Sequence, residues 1–235
     1  MKDDTPKVAP GRTVFTPINC LVVALIAGIS FVLLAIWISR QGSTVPGMDR
    51  SIHGWVMARR SSVSIEFARG VTWGGLTKFV LPVLIIIGIF ATEVGHTFTR
   101  RLKSGLLIAS VASVGAYLGL QINHLEGRVR PPVSDWAGTA GGPSFPSGHT
   151  TVASLFAASC AWVIATRVHA GWPRIVLWTG AVLYALAVGL SRIWLGVHWP
   201  TDVLGGWLYA LTWLSGSAAA VLVVRRRWPH PLVHK

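Results

Sequence analysis

Charge is what this sequence has least of. Only 12% of its 235 residues are Asp, Glu, Lys or Arg, and the acids number just eight, whereas an ordinary soluble domain carries roughly 25% charged residues. With 52% hydrophobic residues and a mean hydropathy of +0.56, that scarcity excludes an ordinary soluble domain and leaves a polytopic membrane protein. Cysteine is nearly missing too. Cys20 and Cys160 both fall in apolar runs, which argues against a structural disulfide. Internal repeats and low-complexity segments are also lacking, and the apolar runs leave no room for a separate soluble domain.

A helix that crosses a bilayer needs about 20 mostly apolar residues. Uncharged or nearly uncharged runs fall at about 18–39, 72–93, 105–122, 150–166, 175–190 and 203–224. They predict an all-α polytopic membrane protein with six transmembrane helices. Residues 1–235 then form one membrane-embedded domain, with an N-terminal tail at 1–17 and a basic C-terminal tail at 225–235. The first run is longer than a signal-peptide core of roughly 7–15 residues and no small-residue cleavage site follows, so it is expected to be a retained anchor. Between the first two runs, Met48 to Gly70 places Ile52, Trp55 and Val56 at helical spacing beside Arg59 and Arg60. This segment predicts short interfacial helices in the first outward loop, with Trp at headgroup level.

The formal net charge of +13 could suggest nucleic acid, but the basic residues cluster at the ends of the apolar runs, so no nucleic-acid partner is expected. With six spans both termini share a side. That side collects Lys2, Lys7, Arg12, Arg100, Arg101, Lys103, Arg167, Arg174, Arg225, Arg226, Arg227 and Lys235; the other collects Arg40, Arg50, Arg59, Arg60, Arg69, Lys78, Arg128, Arg130 and Arg192. Twelve against nine puts both termini in the cytoplasm by the positive-inside rule. The loops after the first, third and fifth spans then face outward, which in a bacterial inner membrane is the periplasm.

Three polar clusters fall on that outward side: NHLEGRVRPP from Asn123, SFPSGHTT from Ser144, and SRIWLGVHWPTD from Ser191 to Asp202. The first two flank a Pro- and Gly-rich loop over Pro131–Phe145. After Asp202 there is no charged residue for 22 positions. Ionisable groups at the mouth of such a segment are costly unless paired, so they point to function.

Arg128, Arg130 and Arg192 can present forked donors that match phosphate oxygens. Pro146-Ser147-Gly148-His149 opens a helix, whose free N–H groups favour an anion; Gly148 admits close approach and Ser147 adds a hydroxyl. His198 and Asp202 are four apart, with Pro200 at a predicted first helical position, so a carboxylate can fix the imidazole tautomer. His149 can then supply a second proton-transfer function. Taken singly, each residue has a plainer reading as a helix cap, an interfacial side chain or a headgroup anchor. His149, His198 and Asp202 could also ligate a metal. His124 lies near the cluster.

Together these residues resemble the three-part signature of the type-2 phosphatidic acid phosphatase family, integral membrane lipid phosphatases. PSGH at Pro146–His149 and Ser-Arg, five residues, His, three residues, Asp at Ser191–Asp202 match fully. Of the first part, usually Lys, six residues, Arg-Pro, the chain has Arg130-Pro131 after Gly127-Arg128, but Asn123 stands at the Lys position. The resemblance implies His198 as a nucleophile that forms a phosphohistidine, Asp202 as its orienter and His149 as the proton donor. It implies Arg130, Arg192, Ser147 and Gly148 as the phosphate cradle, with no metal or other cofactor. Asn123 is expected in the cradle as well, with Arg128 offsetting the missing ammonium. The substrate expected is a lipid phosphate or diphosphate of the undecaprenyl diphosphate, phosphatidic acid or phosphatidylglycerol phosphate class. A phosphotransferase using the same histidine and a non-catalytic lipid-phosphate binder are the alternatives. Small residues Gly205, Gly206, Ser215, Gly216 and Ala218 suggest close helix packing, within the chain or in a homo-oligomer.

Overall fold

The computed structural model describes residues 16–42, 44–90, 98–165 and 167–227. Most of the expected N-terminal and C-terminal tails lies outside the described residues, as do Lys2, Lys7, Arg12, His96, His230, His234, Lys235 and the end of the second expected run. Eight α-helices occur among the described residues: α1 Pro17–Arg40, α2 Gly47–Met57, α3 Ser62–Thr72, α4 Thr77–Phe90, α5 Phe98–Glu126, α6 Gly148–Ala165, α7 Trp172–Trp194 and α8 Pro200–Arg227.

Local chemistry sets where several of these begin. Thr16 caps α1 by accepting from the Asn19 N–H at 3.1 Å, and Pro17 fills the first position, where its missing donor costs nothing. Once begun, α1 buries Cys20, Ala24, Ala27, Phe31, Ala35 and Ile38, a stripe at spacings of three and four, and packs along α8. Its other faces expose Leu21, Leu25, Ile29 and Leu33, as a helix facing lipid should. Ser61 and Ser64 close a reciprocal capping box at the start of α3.

Helix α6 is the centre of the bundle, touching α4, α5, α7 and α8. Half of its apolar window is buried, against 17–28% for the other spanning candidates. Ala153, Ser154, Ala157, Ser159, Cys160 and Ala161 give it buried small side chains, which let neighbouring backbones approach closely. The first turn of this central helix carries His149, so the most enclosed element presents a titratable group at its end.

Among the described residues, five helices are long and apolar enough to cross a membrane, and a sixth crossing is reached only when a bent pair is counted as one. That pair is Ser62–Gly75 with Thr77–Phe90, which meet at 52°. The uninterrupted second run expected over 72–93 is therefore corrected: its N-terminal part is broken at Trp73–Leu76. The physical reason is a close approach. A Cβ on Gly75 would lie 2.8 Å from both Cβ and the carbonyl oxygen of His149, so glycine lets the break rest on the first turn of α6. The Tyr184 hydroxyl donates to the Gly74 carbonyl at 2.6 Å and holds it there.

Candidate active site

The three polar clusters meet at one end of the bundle, cross-linked by their own hydrogen bonds. Ser147 N–H, just before α6, donates to the Asp202 carbonyl at 3.0 Å, and Ser144 N–H donates to the Arg128 carbonyl at 2.8 Å. Phe145 between them is fully buried and stacks on Phe31 of α1 with ring centroids 5.7 Å apart. This apolar floor fixes the level at which the polar residues sit.

Asp202, fully buried in the first turn of α8, engages four groups. Its Oδ2 accepts from the Ser144 hydroxyl, from Trp199 N–H at 2.7 Å and faces His198 Nδ1 at 3.4 Å; its Oδ1 accepts from Arg128 Nη1. His198, in the turn before α8, is 1% exposed. Its other nitrogen, Nε2, lies 2.9 Å from Arg130 Nη1. A guanidinium can only donate, so Nε2 carries the lone pair and the ring proton is on Nδ1, toward Asp202. Burial pushes this imidazole down from 6.5 to about 4, against the opposing pull of Asp202. His198 is therefore neutral at ordinary pH, as a nitrogen nucleophile must be.

Arg130 reaches the same point from the loop after α5. Its guanidinium donates to the carbonyls of Gly142 at 2.9 Å, Val197 at 2.8 Å, Gly141 at 2.9 Å and Pro143 at 2.9 Å. It thereby ties that loop to the backbone beside His198. Arg192, 2% exposed at the end of α7, donates to Thr72 Oγ1 at 2.9 Å and to the Thr139 carbonyl at 3.0 Å. Its Nε is buried with no protein acceptor. His149 is half-buried, and Arg192, His198 and Arg130 are its electrostatic neighbours. Gly148 is exposed, and Ser147 is fully buried with its hydroxyl accepting from Thr150 Oγ1 at 3.0 Å. Among the described residues there is no cluster of three or more His, Cys, Asp or Glu side chains that could hold a metal ion.

Two expectations are corrected. Asn123 does not face the cradle: its amide donates to the carbonyls of Pro143 at 3.0 Å and Pro146 at 3.2 Å, which occupies both of its N–H groups. Nor is Arg128 free to replace an ammonium there. It donates to Asp202 and Thr201 from Nη1, and from Nη2 to Asp49 at 2.7 Å, with its side chain only 8% exposed. Both carboxylates are fully buried, so turning Arg128 to a phosphate would leave them uncompensated.

Sequence reasoning missed Ser144, Thr72, Thr139 and Asp49. Ser144 was legible as part of SFPSGH; Asp49 had only its scarcity, being one of eight acids, to mark it. The loop between α5 and α6 is also pinned from α2 and the α2–α3 turn. His53 Nε2 pairs with Asp135 Oδ2 at 2.9 Å, and Arg60 Nη1 donates to the Asp135 carbonyl at 2.5 Å. The His53 hydrogen bond holds the Asp135 carboxyl below its ordinary value.

Residues 78–228 match the family model described as the PAP2 superfamily. Phosphatidylglycerophosphatase B of Bacillus subtilis (strain 168) is 30% identical over 170 residues, covering 72% of this chain and 81% of that protein. Undecaprenyl-diphosphatase BcrC of the same strain is 33% identical over 170 residues, covering 69% and 76%. The crystal structure of a transmembrane PAP2-type phosphatidylglycerolphosphate phosphatase from Bacillus subtilis superposes with a TM-score of 0.71 at 25% identity, covering 90% of this chain and 98% of that one. The chain belongs to the PAP2 superfamily, and its helical bundle is an integral membrane fold.

Proposed function

We propose that this chain hydrolyses the phosphate monoester or diphosphate headgroup of a membrane lipid through a phosphohistidine on His198. Its class, a phosphatase of lipid phosphates or diphosphates, is that of the relatives above. The observation that carries the residue assignment is the setting of His198, with Nε2 at 2.9 Å from Arg130 and Nδ1 turned to Asp202. In the first step Nε2 attacks phosphorus while the bond from phosphorus to the leaving oxygen breaks. His149 protonates that oxygen, and Arg130 and Arg192 hold the phosphoryl oxygens as charge redistributes. Water, relieved of a proton by His149, then cleaves the N–P bond and frees phosphate. Ser147 and Gly148 complete the cradle at the start of α6.

We place the whole chain in one membrane-embedded domain of six spans, counting the bent α3–α4 pair as one crossing and α2 as an interfacial helix. The termini face the cytoplasm and the site faces outward. In support, Arg60, Arg128, Arg130 and Arg192, basic residues on the outward side, are bound to protein groups and so do not weigh as free topogenic charge. A lipid substrate suits a site at the mouth of apolar helices, where a headgroup enters from water while its tail stays in hydrocarbon. Undecaprenyl diphosphate, phosphatidic acid and phosphatidylglycerol phosphate are the headgroup chemistries to compare.

The test is phosphate release by purified protein from those three lipids, with chelator present, beside His198→Ala. Chelator-resistant release that vanishes in the variant, with label from heavy-oxygen water in the phosphate, is the expected result. Release that persists in His198→Ala, or phosphate free of label, would refute the mechanism.

A further inference from the structure

Asp49 is fully buried, yet it belongs to α2, upstream of residues 78–228 that match the family model. It accepts from Arg128 Nη2 at 2.7 Å, from Thr201 N–H at 3.0 Å and from the Thr201 hydroxyl at 2.7 Å. Arg128 bridges on, through its Nη1, to Thr201 Oγ1 at 2.7 Å and to Asp202. A chain of opposite charges thus runs from α2 to the carboxylate that faces His198. We propose that Asp49 is a positioning residue for the histidine, acting through Arg128 on Asp202.

The electrostatics make the case. Arg128 alone would neutralise Asp202 and draw it away from the imidazole, since a buried ion pair is strong wherever water is excluded. With Asp49 on its other face, Arg128 divides its charge between two carboxylates. The trio then carries one net negative charge, and Asp202 keeps enough of it to hold the Nδ1 proton and to stabilise the imidazolium character that develops as Nε2 bonds to phosphorus. The geometry adds to this, because the two guanidinium nitrogens engage separate carboxylates and fix the plane in which Asp202 lies.

Asp49 has a structural role as well, since Thr201 N–H is among the unpaired donors in the first turn of α8 and Asp49 caps it. The test therefore has to separate cap from charge. Asp49→Asn keeps an oxygen for Thr201 N–H and removes the charge. The inference rests on the His198 mechanism above, so His198→Ala is assayed in parallel.

With undecaprenyl diphosphate in detergent micelles, kcat of Asp49→Asn should fall ~10- to 100-fold, as for outer partners that orient metal-ligating side chains, while KM stays within about threefold. Since Asp49 works through Arg128, Asp49→Asn combined with Arg128→Met should be no slower than Arg128→Met alone, a coupling that independent effects would not give. If Asp49→Asn does not fold, Asp49→Ser, a neutral capping residue, is read in the same way. A kcat within twofold of wild type, a loss confined to KM, full additivity with Arg128→Met, or failure of both variants to fold would each overturn the proposal. Activity persisting in His198→Ala would instead sink the mechanism on which it rests.

Discussion

Replacing Asp202 by Asn tests the geometry of the site most directly, because the carboxylate has no spare lone pair that matters. Three donors, from Ser144, Trp199 and His198, converge on Oδ2, and Arg128 takes Oδ1. An amide nitrogen in place of Oδ2 turns a donor against all three and drives His198 toward the wrong tautomer. In place of Oδ1 it turns a donor against the Arg128 guanidinium. The second orientation, the less costly, forfeits one hydrogen bond to an ionised group, at about 1.5–3 kcal/mol, which corresponds to a fall in kcat of at least ~10- to 10²-fold. KM should change by no more than about threefold, because Arg130 and Arg192 are untouched. Stability should drop by only about 1.5–3 kcal/mol rather than the ~3–5 kcal/mol of a stranded buried charge, since Asp49 still neutralises Arg128. Steady-state phosphate release and a thermal melt in the same detergent read both. A kcat within tenfold of wild type, or a loss carried wholly by KM, would refute the assignment of Asp202 as the group that sets the imidazole.

Thr72→Val removes the acceptor of Arg192 Nη1 but leaves the Thr139 carbonyl on Nη2. One lost hydrogen bond to a charged group should raise KM about tenfold with a smaller effect on kcat, checked by initial rates. Because burial lowers His198 to about 4, its neutral form persists well below the ordinary value near 6.5. The limb of kcat/KM that falls with acid through His198 should therefore lie near pH 4, and a limb from this group at pH 6–7 in a pH–rate profile would contradict the burial. Gly206→Ala would bring a Cβ to 3.0 Å from the Ser147 carbonyl oxygen and from Thr150 Cβ. Overpacking of this kind costs about 1–3 kcal/mol; thermal melts should show it, with kcat falling as Ser147 is pushed from Asp202.

Much of this was legible in the sequence because apolar runs and rigid motifs carry their own geometry. The runs at 18–39, 150–166, 175–190 and 203–224 sit within helices that begin or end one to four residues away, apart from the C-terminal residue of the second, which lies outside the described residues. His198, Asp202 and Arg130 come together as spacing and loop placement suggested. What sequence could not give were contacts between segments far apart in the chain. The break at Trp73–Leu76 depends on Gly75 meeting His149, a residue of another helix, so hydropathy alone showed only a continuous run. Arg128 and Asn123 looked like cradle residues because they stand in the signature segment; their partners, Asp49 in one case and two carbonyls of the α5–α6 loop in the other, are distant in sequence or are backbone atoms without a side-chain signal. The small residues of α8 divide similarly. Gly205 lies against Phe145 and Gly206 against Ser147 and Thr150, whereas Gly216 meets nothing nearby, so the packing seen at the first two is internal to the chain.

Asn123 then makes sense as a loop tie at a position where the family signature has lysine. Its amide grips the carbonyls of Pro143 and Pro146, on either side of Ser144 and Phe145. Pro143 also accepts from Arg130 Nη2, so Asn123 and Arg130 hold one carbonyl between them. An amide satisfies that duty with two fixed donors and no charge to desolvate in a site that is 7% exposed. The consequence falls on the cradle. With Arg128 neutralised by two carboxylates and no ammonium at 123, the mechanism proposed above assigns the phosphoryl group to two cations, Arg130 and Arg192. On that assignment two positive charges would meet a phosphate monoester dianion without the lysine.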